Sequence, residues 1–186
     1  MSALCALWLP ILLSAVAVYL ISSVIHMVTP WHKGDYKGVA NQESFLAALR
    51  PFALTPGDYM APRPASMADM RTPEYKQLHK LGPVLFFTVR PSGVMKIGPQ
   101  LIQWFLYSLV ISVFAGYVAE SVLPIGTGYL PVFRIVGTTA FLGYAGALVQ
   151  QSIWYGRSWA MTIRTMLDGL LYALLTAGMF GWLWPR

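Results

Sequence analysis

Four stretches of this chain are apolar for the length of a membrane crossing, and they fall within 1–28, 100–122, 130–154 and 158–184. A helix that crosses about 30 Å of hydrocarbon needs about 20 mostly apolar residues. The first stretch has no charged side chain, the second holds Glu120, the third Arg134, and the fourth Arg164 and Asp168. Over the whole chain 56% of residues are hydrophobic and 11% charged, where a soluble domain carries about 25% charged residues. A water-soluble domain, a disordered chain and, with one cysteine, a disulfide scaffold are thereby excluded. The expected fold is an all-α membrane protein, a four-transmembrane-helix bundle with an irregular cytoplasmic segment over 29–99 between helices one and two. No Lys or Arg precedes Lys33 and the first apolar run is long, so it reads as a retained helix rather than a cleaved signal peptide.

Charge sets the expected orientation. Lys33, Lys37, Arg90 and Lys96 lie close to the ends of the first loop, with Arg50, Arg63, Arg71, Lys76 and Lys80 between them. The turn between spans three and four adds Arg157 and the neighbouring Arg164. The opposite side offers an uncharged N-terminus, the turn 123–129 and Arg186. The positive-inside rule then puts 29–99 in the cytoplasm and both termini outside. A basic face of this kind suits anionic lipid headgroups; its residues are scattered among Pro, Gly and acids, so no nucleic-acid partner is expected. The compact, Ala- and Gly-rich composition suggests a bacterial inner membrane.

Proline and glycine break 29–99 into short pieces. The run 41–49 reads as a helix capped by Asn41, and 72–81 as a helix capped by Thr72, opened by Pro73 and stopped by Gly82 and Pro83. GDYMAPRP reads as extended and 84–89 as a short strand, a pairing that would be marginal alone. The segment is too broken to hold a core, so its apolar faces are expected to rest on the bilayer surface or on the helix ends.

Helices in lipid associate through close fit of small residues. The fourth span carries Thr165, Gly169, Ala173, Ala177 and Gly181 at intervals of four. The second carries Ser108, Ser112 and Gly116, ending at Glu120, and the third Thr139, Gly143 and Ala147. These stripes predict tight packing within the chain, with a homodimer or a partner membrane subunit as the other use of such a face. The seven tryptophans fall near span ends, as expected of depth anchors.

The candidate functional residues are the ionisable groups in the spans, because each must be paired or wetted. Arg164, Asp168, Tyr172 and Thr176 share one helical face. The preferred reading is an ion pair between Arg164 and Asp168 with Tyr172 donating to the carboxylate; the sharper one makes Asp168 a protonatable site on a transport path. Glu120 and Arg134 flank the outer turn and are expected to pair across it, an anion clamp at Arg134 being the weaker alternative. His26, Gln103, Gln150 and Gln151 lie at similar depth and mark a polar pocket at the cytoplasmic mouth. The spacing of His26, His32 and Asp35 hints at a metal, but Pro30 interrupts the helix that would align the imidazoles, so no metal and no cofactor are expected.

No G-x-S-x-G, H-E-x-x-H or P-loop is present, and Cys5 has no second cysteine for redox work. No catalytic residue is assigned; an interfacial enzyme using His32, Asp35, Asp58 and Tyr59 ranks last because no nucleophile–base pair is evident. The expected function is a non-enzymatic integral membrane protein, an accessory or scaffold subunit of a membrane assembly. The alternative is a small oligomeric transporter or channel with Asp168 as its protonatable site.

Overall fold

The computed structural model describes residues 6–186; Cys5 and the start of the first apolar stretch lie outside the described residues. The chain is mostly helical and divides into two compact units, one built from the stretch up to Tyr36 with Lys96–Arg186, the other from Lys37–Met95.

The first unit holds four helical stretches long and apolar enough to cross a membrane. Helix α1 is Trp8–Met27, α4 is Gly98–Val122, α5 is Tyr129–Phe141 continuing through a π-helical turn at Leu142–Gly146 into α6, Val149–Tyr155, and α7 is Trp159–Leu183. Helix α1 packs on α4 and α7, and α5 packs on the same two. The buried faces are chosen by size rather than by polarity. In α1 the buried stripe is Ile11, Ala15, Val18 and Ser22; in α4 it is Ser108, Ser112, Ala115, Gly116 and Ala119. The buried hydroxyls cost little because Ser108, Ser112 and Thr176 donate to the backbone carbonyl four residues earlier, at 2.9–3.0 Å. A Cβ placed on Gly169 would stand 3.0 Å from the Ala145 Cβ and 3.4 Å from Tyr144 backbone, and one on Gly137 3.2 Å from the Ala177 Cβ. The small stripe of α7 is thus the contact with α5 and the turn that follows it.

The third apolar stretch is not one continuous α-helix. Tyr107 on α4 donates to the Gly143 carbonyl at 2.7 Å, and Ile111 crowds the open side of the same glycine. A side chain that inserts into the helical ladder is one of the identified causes of a departure from straight α geometry, and the π-turn lies at that point. The buried face of α5 is accordingly Val132, Val136 and Ala140, followed by Tyr144 in the π-turn, rather than the Thr139, Gly143, Ala147 stripe read from sequence.

In the second unit α2, Gln42–Leu49, is capped by Asn41, whose side chain accepts from the Ser44 N–H at 3.0 Å. Helix α3, Pro73–Leu81, is capped by Thr72 accepting from Tyr75 N–H at 3.2 Å, and ends at Gly82, whose φ of 62° suits a residue without Cβ. Strands β1, Gly57–Ala61, and β2, Leu85–Val89, pair antiparallel with Tyr59 opposite Phe87, their rings stacked at 5.4 Å. This pair is the departure from an all-α chain. No residue of Lys37–Met95 is buried, consistent with a segment too interrupted to enclose a core.

Candidate functional site

The end of α1 and the chain just beyond it meet the middle of α7. Thr29 closes α1 by donating to the Ile25 carbonyl at 2.6 Å, and Pro30 cannot continue the helical ladder. Two tight turns follow, from Lys33 N–H to the Pro30 carbonyl and from Asp35 N–H to the His32 carbonyl, both 3.1 Å. These turns reverse the chain and set Trp31, His32 and Asp35 against Arg164 and Asp168.

Asp168 is 5% exposed, and both its carboxylate oxygens are engaged. Trp31 Nε1 donates to Oδ1 at 3.0 Å, and His32 Nε2 lies 2.8 Å from Oδ2. The other ring nitrogen of His32, Nδ1, lies 2.6 Å from Asp35 Oδ2, while Arg164 Nη2 stands 2.7 Å from Asp35 Oδ1. The result is a chain of charges, Arg164–Asp35–His32–Asp168, in which the imidazole bridges two carboxylates. His26 stacks on His32, the ring centroids 4.4 Å apart and the planes 14° from parallel, and its Nδ1 lies 3.0 Å from the Ser22 carbonyl.

The electrostatics follow from the count of formal charges. With both carboxylates ionised, two negative charges face one guanidinium, and one is left over unless His32 carries both protons or another cation is present. Burial alone would push the Asp35 carboxyl up; the His32 hydrogen bond and the Arg164 charge outweigh it and hold the group below the usual carboxylate range. The Asp35 side chain is 6% exposed, so its attraction to Arg164 is only weakly screened by water.

Several sequence-based expectations are revised by this geometry. Arg164 and Asp168 do not pair with each other; each takes its partner from the turn after α1. The Tyr172 hydroxyl is buried and makes no hydrogen bond among the described residues, so it does not donate to Asp168. Tyr172 instead packs edge-on against Trp104 and Tyr144, with ring centroids 5.7 and 5.6 Å away. His26, Gln103, Gln150 and Gln151 are all exposed, and His26 bonds within its own helix and stacks on His32. Glu120 is half-buried and Arg134 exposed, and no ion pair joins them among the described residues. Trp31, expected as a depth anchor, is a hydrogen-bond donor to a buried carboxylate. Trp104 likewise donates to Ser22 Oγ at 2.7 Å and ties α4 to α1.

Two members of the cluster, Trp31 and His32, were missed as partners of Asp168, and the signal that could have found them is Pro30. Pro30 does not keep His26 and His32 apart; by ending α1 it lets the chain turn back and stack one ring on the other. Among the described residues, His26, His32 and Asp168 also form the group whose ligand atoms all lie within 4.8 Å of one another. The chain matches no protein-family model, no curated protein and no solved structure.

Proposed function

We propose that the chain is a non-enzymatic integral membrane protein, an accessory or scaffold subunit whose four long helices form a membrane bundle. The observation that carries this reading is the state of Asp168: both oxygens are taken up by Trp31 and His32, at 3.0 and 2.8 Å. The ionisable groups of α7 serve to fasten the extension of α1 to the last helix. Arg164 is spent in the same way on Asp35, at 2.7 Å. In this reading 29–99 lies in the cytoplasm, where its Lys and Arg meet anionic headgroups of a bacterial inner membrane, and both termini lie outside. Its partners are membrane lipids and a second copy or another membrane subunit.

The competing reading, an oligomeric transporter or channel working through Asp168, makes a different demand on one experiment. The full chain and its Asp168→Asn variant are reconstituted in vesicles and followed for pH-driven ion flux, with melting in detergent measured in parallel. The scaffold reading expects no flux from the parent above empty vesicles and a lowered melting temperature for the variant. Flux in the parent that disappears in a variant of unchanged stability would replace it with the transport reading.

A further inference from the structure

We propose that His26, His32 and Asp168 form a binding site for one divalent transition-metal cation of borderline softness, held by Nε2 of both imidazoles and a carboxylate oxygen of Asp168. This goes beyond the scaffold reading, and its test reads metal rather than flux.

The first ground is position. Ligand atoms from the three residues lie within 4.8 Å of one another. A tetrahedral site with bonds of about 2.0–2.1 Å sets its ligand atoms about 3.3 Å apart. The His32 Nε2 to Asp168 Oδ2 distance of 2.8 Å then has to open by only a few tenths of an ångström. The His26 ligand atom, within 4.8 Å of the other two, has to close toward about 3.3 Å, and its ring, now stacked at 14° to His32, has to tilt so that its lone pair points at the shared ion. Both are side-chain adjustments.

The second ground is independent of the first and concerns the far side of each ligand. Metal-binding imidazoles almost always give their other ring N–H to a carboxylate or a backbone carbonyl, which fixes the tautomer and turns the bare nitrogen to the metal. Here His32 Nδ1 lies 2.6 Å from Asp35, itself held by Arg164, and His26 Nδ1 lies 3.0 Å from the Ser22 carbonyl. With their protons on Nδ1, where these acceptors lie, the two neutral rings offer Nε2. The third ligand is oriented too: Trp31 occupies Asp168 Oδ1 and leaves Oδ2 toward the imidazoles. In that tautomer His32 Nε2 and Asp168 Oδ2 are two lone-pair atoms facing each other at 2.8 Å, which calls for a cation between them. A proton meets that need in one form of the site, and a metal ion, displacing that proton, meets it in the other.

The donor set selects the ion. Two imidazole nitrogens and one carboxylate suit zinc and its first-row neighbours, while magnesium and calcium prefer oxygen ligands. The dication also offsets the surplus negative charge left once Arg164 has answered Asp35. The fourth position falls to water.

The test uses the full chain purified in detergent through a tag without histidine, stripped with chelator and titrated with Co2+ as a coloured stand-in for zinc. The expected result is one Co2+ per chain with the visible absorption of a four-coordinate site, bleached by stoichiometric Zn2+. His26 is exposed and its hydrogen bond lies within α1, so His26→Ala is the first ligand variant, with His26→Gln as a bulk-preserving second that keeps a side chain against His32. Both should lose the absorption at one equivalent of Co2+ while keeping the parent circular dichroism. Asp35→Asn should weaken Co2+ binding by about 10–100-fold, and His79→Ala, which removes the histidine of the second unit, should leave it unchanged. A parent without stoichiometric absorption, or His26 variants that keep it, would overturn the site.

Discussion

Two regions of the helical unit were expected to be held by ion pairs, and only one is. At the junction of α1 and α7 the side chains of Asp168 and Asp35 are each 6% exposed, and Arg164, Asp35, His32 and Asp168 each have a polar partner within 2.8 Å. At the turn between α4 and α5, Arg134 is exposed, Glu120 is half-buried, and no ion pair joins them among the described residues. What holds that end is fit: a Cβ on Gly116 would stand 3.0 Å from the Phe180 ring, and one on Gly181 would run into the Tyr129 ring. The Gly126 N–H and the Trp184 Nε1 add hydrogen bonds to Pro185 and Pro124 carbonyls, at 2.9 and 3.1 Å. The difference teaches that closeness along the chain does not make a pair. A charge must pair where burial takes its water away; one that reaches water or headgroups has no such need.

The largest effect should follow from breaking the buried side. Asp168→Ala leaves the His32 and Trp31 donors facing apolar space, and loss of one partner of a buried pair costs about 3–5 kcal/mol, to be read as a large drop in the detergent melting temperature. A drop as small as that of a surface substitution would mean that the junction is wetted rather than buried. A smaller effect is expected from acid. The Asp35 pKa is lowered in the folded chain, so its contribution is present above the unfolded carboxylate value of about 3.9 and fades as pH falls through the lower folded value. Melting followed from pH 6 downward should show the parent losing stability in that range, and Asp35→Asn, already weaker at pH 6, losing less. The smallest effect belongs to the other end: Glu120→Gln and Arg134→Gln should each stay within about 0.5 kcal/mol of the parent. If the Glu120→Gln and Arg134→Gln changes prove strongly non-additive in the double variant, the two residues do couple and the contrast fails.

Much of the candidate site was legible one residue at a time and not as an arrangement. Asp168 and Arg164 stand out in any reading of the fourth apolar stretch, because charge in such a stretch must be answered. Helical spacing makes them neighbours, so the i, i+4 pair was the natural inference. It fails because Asp35, brought in by the turns after Pro30, gives Arg164 a partner, and His32 and Trp31 occupy both oxygens of Asp168. The cap residues Asn41 and Thr72 were legible for the opposite reason: a cap bonds three residues away and needs no tertiary partner.

By itself the sequence determined the number of long apolar helices and the punctuation of the segment between the first two, since hydropathy and backbone limits act locally. Only the tertiary structure decided which polar groups meet, where the third stretch loosens into a π-turn, and that His26, His32 and Asp168 converge. Those outcomes depend on contacts between residues up to 137 positions apart, as from Trp31 to Asp168. No local pattern encodes such a contact; it exists only once the helices have packed and a proline has turned the chain back toward them.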